Sequence, residues 1–157
     1  MRRGWANGGP GRSKKVRLAS SPRRVLNRGV NVFTYGSLLF DGVWEAVVGR
    51  IGPSFEGRLD GFEAWKITGQ VFPGLAPACG HQVAGRVWQG VTAVELAKLD
   101  AFESGIYDRD RVPVQTSSGK LIKCWAYVVR PDCRDRLRNE RWDRDEFQRL
   151  HLEDFVK

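Results

Sequence analysis

Short β-prone segments separated by glycine or proline recur along this chain, and they limit its possible folds more than any other feature of the sequence. The segments are residues 32–35, 62–67, 71–72, 83–88, 107–116 and 121–129. Turns are predicted at residues 36–37, 73–74, 79–80 and 117–119, where glycine, proline and serine cluster. Because several short strands follow one another, the sequence predicts a small sheet or barrel.

Two capping signals predict helices that pack against this sheet. Thr92 and Glu95 have the spacing of a capping box, which predicts a helix from Thr92 to about Phe102. Asp143 and Glu146 repeat this spacing and predict a last helix. A further helix is predicted through residues 43–48.

The last helix has additional support from apolar residues. Trp142 and Phe147 occupy the positions of a hydrophobic staple. Phe147, Leu150, His151 and Phe155 recur at helical spacing and are expected to dock the helix on the sheet. Residues 130–141 are charged and have no apolar pattern, so they are predicted to form a loop.

The formal net charge of +8 is concentrated at the amino terminus. Residues 1–30 carry nine of the 26 lysine and arginine residues and no acid, which leaves 17 basic residues against 18 acidic ones. We predict that residues 1–29 form a disordered basic tail ahead of a single domain, residues 30–157. Three interpretations of the tail stay open: an organellar transit peptide, a nucleic-acid-binding arm, or translated upstream sequence from a mis-assigned start. The third is favoured because the strand pattern begins abruptly at Val30 and a valine codon can start translation in bacteria.

The sequence carries no recognisable metal or cofactor motif. His81 and His151 have no ligand-spaced partner, and Cys79, Cys124 and Cys133 form no CxxC pair. Nucleophile-elbow, phosphate-loop and dinucleotide fingerprints are also absent. No run of 18 apolar residues and no secretory signal is present. We therefore expect no metal, no cofactor and no membrane partner, and a cytoplasmic location.

Glu103 differs from the other acidic residues in its position on a predicted helix. It lies four residues after Leu99 and seven after Leu96, on the apolar stripe. A carboxylate that points inward there loses hydration and meets the negative end of its helix, and both effects raise its pKa. A raised pKa suits an acid/base catalyst near neutral pH. The alternative is that the helix ends at Asp100 and that Glu103 is a solvated loop residue.

The segment Tyr35-Gly36-Ser37 also admits two interpretations. One is a plain turn at the end of a strand, and the other is a nest of backbone N–H donors that binds an anion or a carbonyl group. The segment alone does not decide between them.

Taken together, these segments resemble the gamma-glutamylcyclotransferase-like family, which includes bacterial members and the plant proteins induced by avirulence-gene recognition. The resemblance covers about residues 30–157. Its strongest anchors are VFTYGSL at residues 32–38, LDAFE at residues 99–103, Tyr107 and Arg109. Weaker anchors are VFPG at residues 71–74, WAYV at residues 125–128 and HLEDF at residues 151–155.

The resemblance implies an α+β fold, built on a small mixed β-barrel flanked by helices, with the site at one barrel mouth. It also implies that Glu103 is the catalytic acid/base. The residues that it implies for substrate binding are Tyr35, Gly36, Ser37, Leu38, Tyr107 and Tyr127, the first four through backbone N–H groups that hold the glutamyl moiety.

The implied reaction is attack of the substrate's α-amine on its own γ-carbonyl, which closes a five-membered ring and benefits from proximity. The products are 5-oxoproline and an amine or amino acid. The resemblance thus predicts a cofactor-independent transferase or lyase that acts on a small γ-glutamyl substrate as a monomer or weak dimer. One alternative is a non-catalytic binding or regulatory module that keeps the fold and pocket. Nucleic-acid binding through the tail is not expected. If it occurred, its affinity would fall steeply with salt concentration.

Overall fold

The computed structural model describes residues 29–103 and 105–156. The predicted tail lies outside these residues except for Gly29, so its disorder stays a prediction. Within the described part there are six strands: β1 (Val30–Thr34), β2 (Ser54–Ile67), β3 (Pro73–Val91), β4 (Tyr107–Thr116), β5 (Leu121–Val129) and β6 (Leu137–Arg141). The same residues form helices α1 (Asp41–Val48), α2 (Ala93–Phe102), α3 (Arg144–Leu150) and α4 (Leu152–Phe155), and 3-10 helices at Ser37–Leu39 and Pro131–Arg136.

The first five strands close into a barrel. β1 pairs antiparallel with β3 and parallel with β5. β5 pairs antiparallel with β4, β4 with β2, and β2 with β3, which completes the ring. β6 extends the sheet by pairing with the end of β2, where Trp65 faces Arg141. The predicted α+β class, with a small mixed barrel and flanking helices, is confirmed.

Alternation along the strands fills the interior of the barrel. Val112 and Val114 on β4 point inward, as do Cys124, Ala126 and Val128 on β5, and all five are buried. The predicted hairpin between these two strands is therefore confirmed, with its turn at residues 117–119.

A second apolar layer holds helices α1 and α2 on the outside of the barrel. The ring of Trp44 from α1 stacks on that of Trp88 from β3, with centroids 4.2 Å apart. The indole N–H of Trp88 donates to the Oγ1 atom of Thr34 at 3.1 Å, so this buried polar group has a partner. Leu99 from α2 is fully buried in the same layer.

The capping signals are largely confirmed. The Oγ1 atom of Thr92 accepts from the backbone N–H of Glu95 at 3.2 Å, and the Glu95 carboxylate accepts from the N–H of Thr92 at 3.0 Å. Asp143 caps α3 by accepting from the N–H of Glu146 at 3.1 Å. The Glu146 carboxylate does not reach back, because it pairs with Lys66 at 3.3 Å.

Two predicted turns and one predicted strand are wrong. Residues 73–74 and 79–80 lie within β3, and residues 71–72 form a bend. Gly61 and Gly80 have φ angles of 82° and 83°, conformations that glycine adopts without steric cost. They sit at a shift in the β2–β3 register, where the long hairpin bends and continues instead of ending.

Two predictions near the carboxyl end are also wrong. Residues 130–141 form a 3-10 helix and strand β6, because backbone pairing with β2 needs no apolar pattern. The last helix is interrupted at His151, which follows α3 and precedes α4. Phe147 is buried, but Leu150 is 56% exposed and does not contribute to docking.

Candidate active site

A cavity of about 200 Å³ lies at one mouth of the barrel. At this mouth β1 and β5 end while β3 and β4 begin, so an end of each of these four strands lies there. The cavity is lined by Phe33, Thr34, Tyr35, Gly36, Ser37, Leu38, Phe72, Pro73, Phe102, Glu103, Tyr107, Tyr127 and Phe155. All seven residues predicted for the site are in this set, and their roles stay predictions.

The loop after β1 turns sharply into the short helix Ser37–Leu39. The N–H of Leu39 donates to the carbonyl of Gly36 at 2.9 Å, which is the first bond of this helix. The N–H groups of Ser37 and Leu38 precede that bond and so have no acceptor within the helix. They are therefore suited to bind an oxygen atom of a ligand.

Gly36 is required by close packing. A Cβ atom at this position would lie 2.6 Å from Cγ and 2.7 Å from Cδ of Pro73. Such distances are well inside van der Waals contact, so the first residue of β3 and the loop after β1 can approach only with glycine here.

Glu103 caps the carboxyl end of α2. Its N–H donates to the carbonyl of Leu99 at 2.9 Å, and its side chain enters the cavity. Burial raises the pKa of the Glu103 carboxyl from 4.5 to about 7. The alternative that the helix ends at Asp100 is wrong, because α2 continues to Phe102.

Three tyrosine hydroxyl groups around the cavity are engaged with protein acceptors. Tyr35 donates to the carbonyl of Tyr127 at 2.7 Å, and Tyr107 donates to the carbonyl of Pro73 at 2.6 Å. Tyr127 donates to Oδ1 of Asp100 at 2.7 Å. Burial raises the pKa of each tyrosine above its ordinary value, and the charge of Glu103 adds to the effect. All three are therefore neutral at physiological pH.

Several residues at the site were missed by sequence reasoning. Asp100 receives two hydrogen bonds from Arg109, at 2.8 and 3.3 Å, and the guanidinium of Arg109 lies 4.4 Å from the ring centroid of Trp125. Asp100 and Arg109 both belong to the strongest anchors of the family resemblance, and this membership is the sequence signal that could have pointed to them. Phe72, Phe102 and Phe155 also line the cavity, and none of them was assigned to the site from the sequence.

The two histidines lie apart from the cavity. His81 pairs with the buried carboxylate of Glu63 at 3.2 Å, and His151 packs beside Phe147. Among residues 29–103 and 105–156, no group of three or more His, Cys, Asp or Glu side chains is placed to hold a metal ion. Within the same ranges, no helix combines the length and apolar character needed to cross a membrane.

Comparisons with known proteins agree with this architecture. A family model described as gamma-glutamyl cyclotransferase, AIG2-like, matches residues 32–144. AIG2-like protein D of Arabidopsis thaliana is 36% identical over 130 residues, which cover 81% of this chain and 84% of that protein. The matched region of the family model contains all seven predicted site residues.

Solved structures show the same fold. A solution structure of a protein from Arabidopsis thaliana superposes with a TM-score of 0.65 at 30% identity, covering 81% of this chain and 77% of that one. A structure of a gamma-glutamyl cyclotransferase superposes with a TM-score of 0.58 at 26% identity, covering 64% of this chain and 66% of the other.

Proposed function

Because the chain belongs to the gamma-glutamyl cyclotransferase, AIG2-like family, we propose that it releases 5-oxoproline from a small γ-glutamyl substrate. One observation carries this proposal: the carboxyl of Glu103, with a pKa of about 7, shares a cavity with the loop from Tyr35 to Leu38. This shared cavity supports an assignment in which one small molecule contacts both a proton-transfer group and a set of backbone donors. In class terms the activity is that of an acyltransferase or lyase.

Substrate binding is assigned to the loop after β1. The N–H groups of Ser37 and Leu38 are donors without an intrahelical acceptor, so they suit the oxygen atoms of the glutamyl moiety. The close contact between Gly36 and Pro73 holds the loop in place. Preformed donors of this kind need no reorganisation when the substrate binds.

Proton transfer is assigned to Glu103. An α-ammonium group has no lone pair and cannot attack a carbonyl until it loses a proton. A carboxyl with a pKa of about 7 is partly ionised at neutral pH and is basic enough to accept that proton. The freed amine attacks the γ-carbonyl of the same molecule, so the substrate supplies its own nucleophile and proximity lowers the barrier.

Collapse of the intermediate uses the same groups. The C–N bond to the leaving amine breaks, and Glu103 returns its proton to that nitrogen. Backbone donors near Gly36 and Ser37 stabilise the negative charge that develops on the carbonyl oxygen. The ring nitrogen still carries one proton more than an amide does, and it loses that proton to the released amine. The balanced products are therefore 5-oxoproline and a protonated amine or amino acid.

A panel of γ-glutamyl compounds tests the proposal. It should include γ-glutamyl amino acids, glutathione, γ-glutamyl-lysine and simple γ-glutamyl amines. We expect at least one member to yield 5-oxoproline and its amine in equal amounts, measured by mass spectrometry. Saturable binding of the panel without product over long incubation would instead indicate a binding or regulatory module.

A further inference from the structure

Asp100 contacts the candidate site without lining its cavity. Its Oδ1 atom accepts hydrogen bonds from the hydroxyl of Tyr127 at 2.7 Å and from Nε of Arg109 at 2.8 Å. Its Oδ2 atom accepts from Nη2 of Arg109 at 3.3 Å. Arg109 is itself placed over the ring of Trp125, so the residue that holds the carboxylate has a support of its own.

This contact determines what Tyr127 can offer to a ligand. A tyrosine hydroxyl has one hydrogen atom, and the hydrogen of Tyr127 is directed to Asp100. Only the lone pairs of its oxygen are then left for other partners. The hydroxyl of Tyr107 likewise has only its lone pairs left, because its hydrogen is directed to the carbonyl of Pro73 at 2.6 Å. Toward the cavity, both hydroxyl groups therefore act as acceptors.

The charges around the cavity favour a cation as the complementary ligand group. Glu103 is the one carboxylate among the described residues that line the cavity, and no lysine or arginine is in that set. Tyr107, Tyr127 and Glu103 line the same cavity, and the negative charge of Glu103 adds to the burial that raises the pKa of both tyrosines. An ammonium group has three donors and no acceptor, which matches three acceptors.

We propose that Asp100 is a positioning residue which, clamped by Arg109, holds the Tyr127 oxygen as a hydrogen-bond acceptor for the α-ammonium group of the substrate. The proposal rests on the proposed function, since it identifies how that same site recognises the charged end of a γ-glutamyl compound. Asp100 acts through Tyr127 and does not contact the reacting atoms.

The role of the Asp100 side chain follows from its partners. Its Oδ1 atom accepts from both Nε of Arg109 and the hydroxyl of Tyr127, and its Oδ2 atom accepts from Nη2 of Arg109. Asparagine is not an informative replacement, because its carbonyl oxygen in the place of Oδ1 would still accept from Tyr127. Asp100→Ala removes the acceptor and frees the Tyr127 hydroxyl to rotate and donate into the cavity, where its hydrogen repels the hydrogens of an ammonium.

The test compares two ligands that differ only in the ammonium group. L-Glutamine is a γ-glutamyl amide, and glutaramic acid is the same molecule without the α-amino group. Their dissociation constants are measured by NMR titration for the full chain and for its Asp100→Ala, Tyr127→Phe and Arg109→Met variants. Asp60→Ala is the matched control, because Asp60 also receives two hydrogen bonds from an arginine, Arg58, outside the cavity.

We expect the parent to bind L-glutamine more tightly than glutaramic acid. Asp100→Ala and Tyr127→Phe should each weaken L-glutamine binding roughly 10-fold, as for loss of a hydrogen bond to a charged group. Neither should change glutaramic acid binding more than about two-fold, a difference within the error of such energies. Arg109→Met should act in the same direction, and Asp60→Ala should change the binding of neither ligand.

Two results would overturn the inference. If the parent binds L-glutamine no better than glutaramic acid, the ammonium subsite does not exist. If Asp100→Ala weakens both ligands equally, Asp100 is only structural. Should that variant not fold, the same criterion applies to Tyr127→Phe and Arg109→Met. Selective binding together with no 5-oxoproline from any panel member would sustain this inference and reject the proposed function.

Discussion

The hydroxyl of Tyr35 donates a 2.7 Å hydrogen bond to the backbone carbonyl of Tyr127 inside the barrel. Tyr35 follows β1 and Tyr127 belongs to β5, so this bond ties together the strands that flank the cavity. The loop of backbone donors and the tyrosine held by Asp100 are thereby fixed relative to one another.

Tyr35→Phe tests the structural role of this bond. The substitution leaves the buried carbonyl of Tyr127 without its side-chain donor, so we expect a loss of about 1–3 kcal/mol in the free energy of unfolding. Urea denaturation measures it. Ser118→Ala, which removes an exposed hydroxyl contact with Thr116, is the control and should change stability by less than about 0.5 kcal/mol. Equal effects of the two variants would refute the assignment.

Gly36→Ala tests the close contact with Pro73. The added Cβ would lie 2.6 Å from the proline ring, so the loop must shift, and we expect 5-oxoproline release to fall by at least roughly 100-fold, the effect of a small misplacement at an active site. In the control Gly42→Ala, the new Cβ would lie 3.7 Å from Val156, which is an ordinary contact. Full activity of Gly36→Ala would show that the loop position is not needed for catalysis.

The stability of the fold should depend on pH through Glu103. Its folded pKa of about 7 lies above the ordinary 4.5, so between these values the folded state binds its proton more tightly than the unfolded state. The resulting stabilisation is complete below pH 4.5 and is lost as the pH rises through 7, by roughly 3 kcal/mol at most.

Glu103→Gln carries no such proton. The unfolding free energy of the parent relative to this variant should therefore fall between pH 4 and pH 8, as measured by denaturant titrations at each pH. The carboxylates common to both proteins cancel in this difference. If this difference in unfolding free energy does not change with pH, the carboxyl of Glu103 is not buried.

The rate of 5-oxoproline release should rise with pH, whereas the stabilisation by Glu103 falls. The base form of Glu103 accepts the first proton, so kcat/KM of the parent should rise as the pH increases through about 7. Steady-state release of 5-oxoproline from pH 5 to pH 9 measures this profile. A rising limb centred near 4.5 would assign the base to an ordinary solvated carboxylate.

The parts of the fold that the sequence predicts well are local. The Thr92–Glu95 capping box and the hairpin turn at residues 117–119 depend on neighbouring residues, and both are present. The inward position of Glu103 follows from the helical period that buries Leu99.

Features that depend on distant pairing were not predictable. Gly80 is predicted to lie in a turn, yet β3 continues past it because the strand pairs with β2 on both sides. The β6 strand is held by backbone bonds to β2 and has no apolar alternation. The contact of Asp100 with Tyr127 and Arg109 joins α2, β5 and β4, three elements that only the closed barrel brings together.

The central claim is that Glu103 transfers the proton, and Glu103→Gln tests it most directly because glutamine keeps the shape of the side chain and cannot exchange a proton. With an accepted substrate, the account predicts that 5-oxoproline release falls by roughly 100-fold or more in this variant. Substrate binding should be retained, and Glu45→Gln, an exposed position on α1, should match the parent. Release at the parental rate by Glu103→Gln would contradict the account.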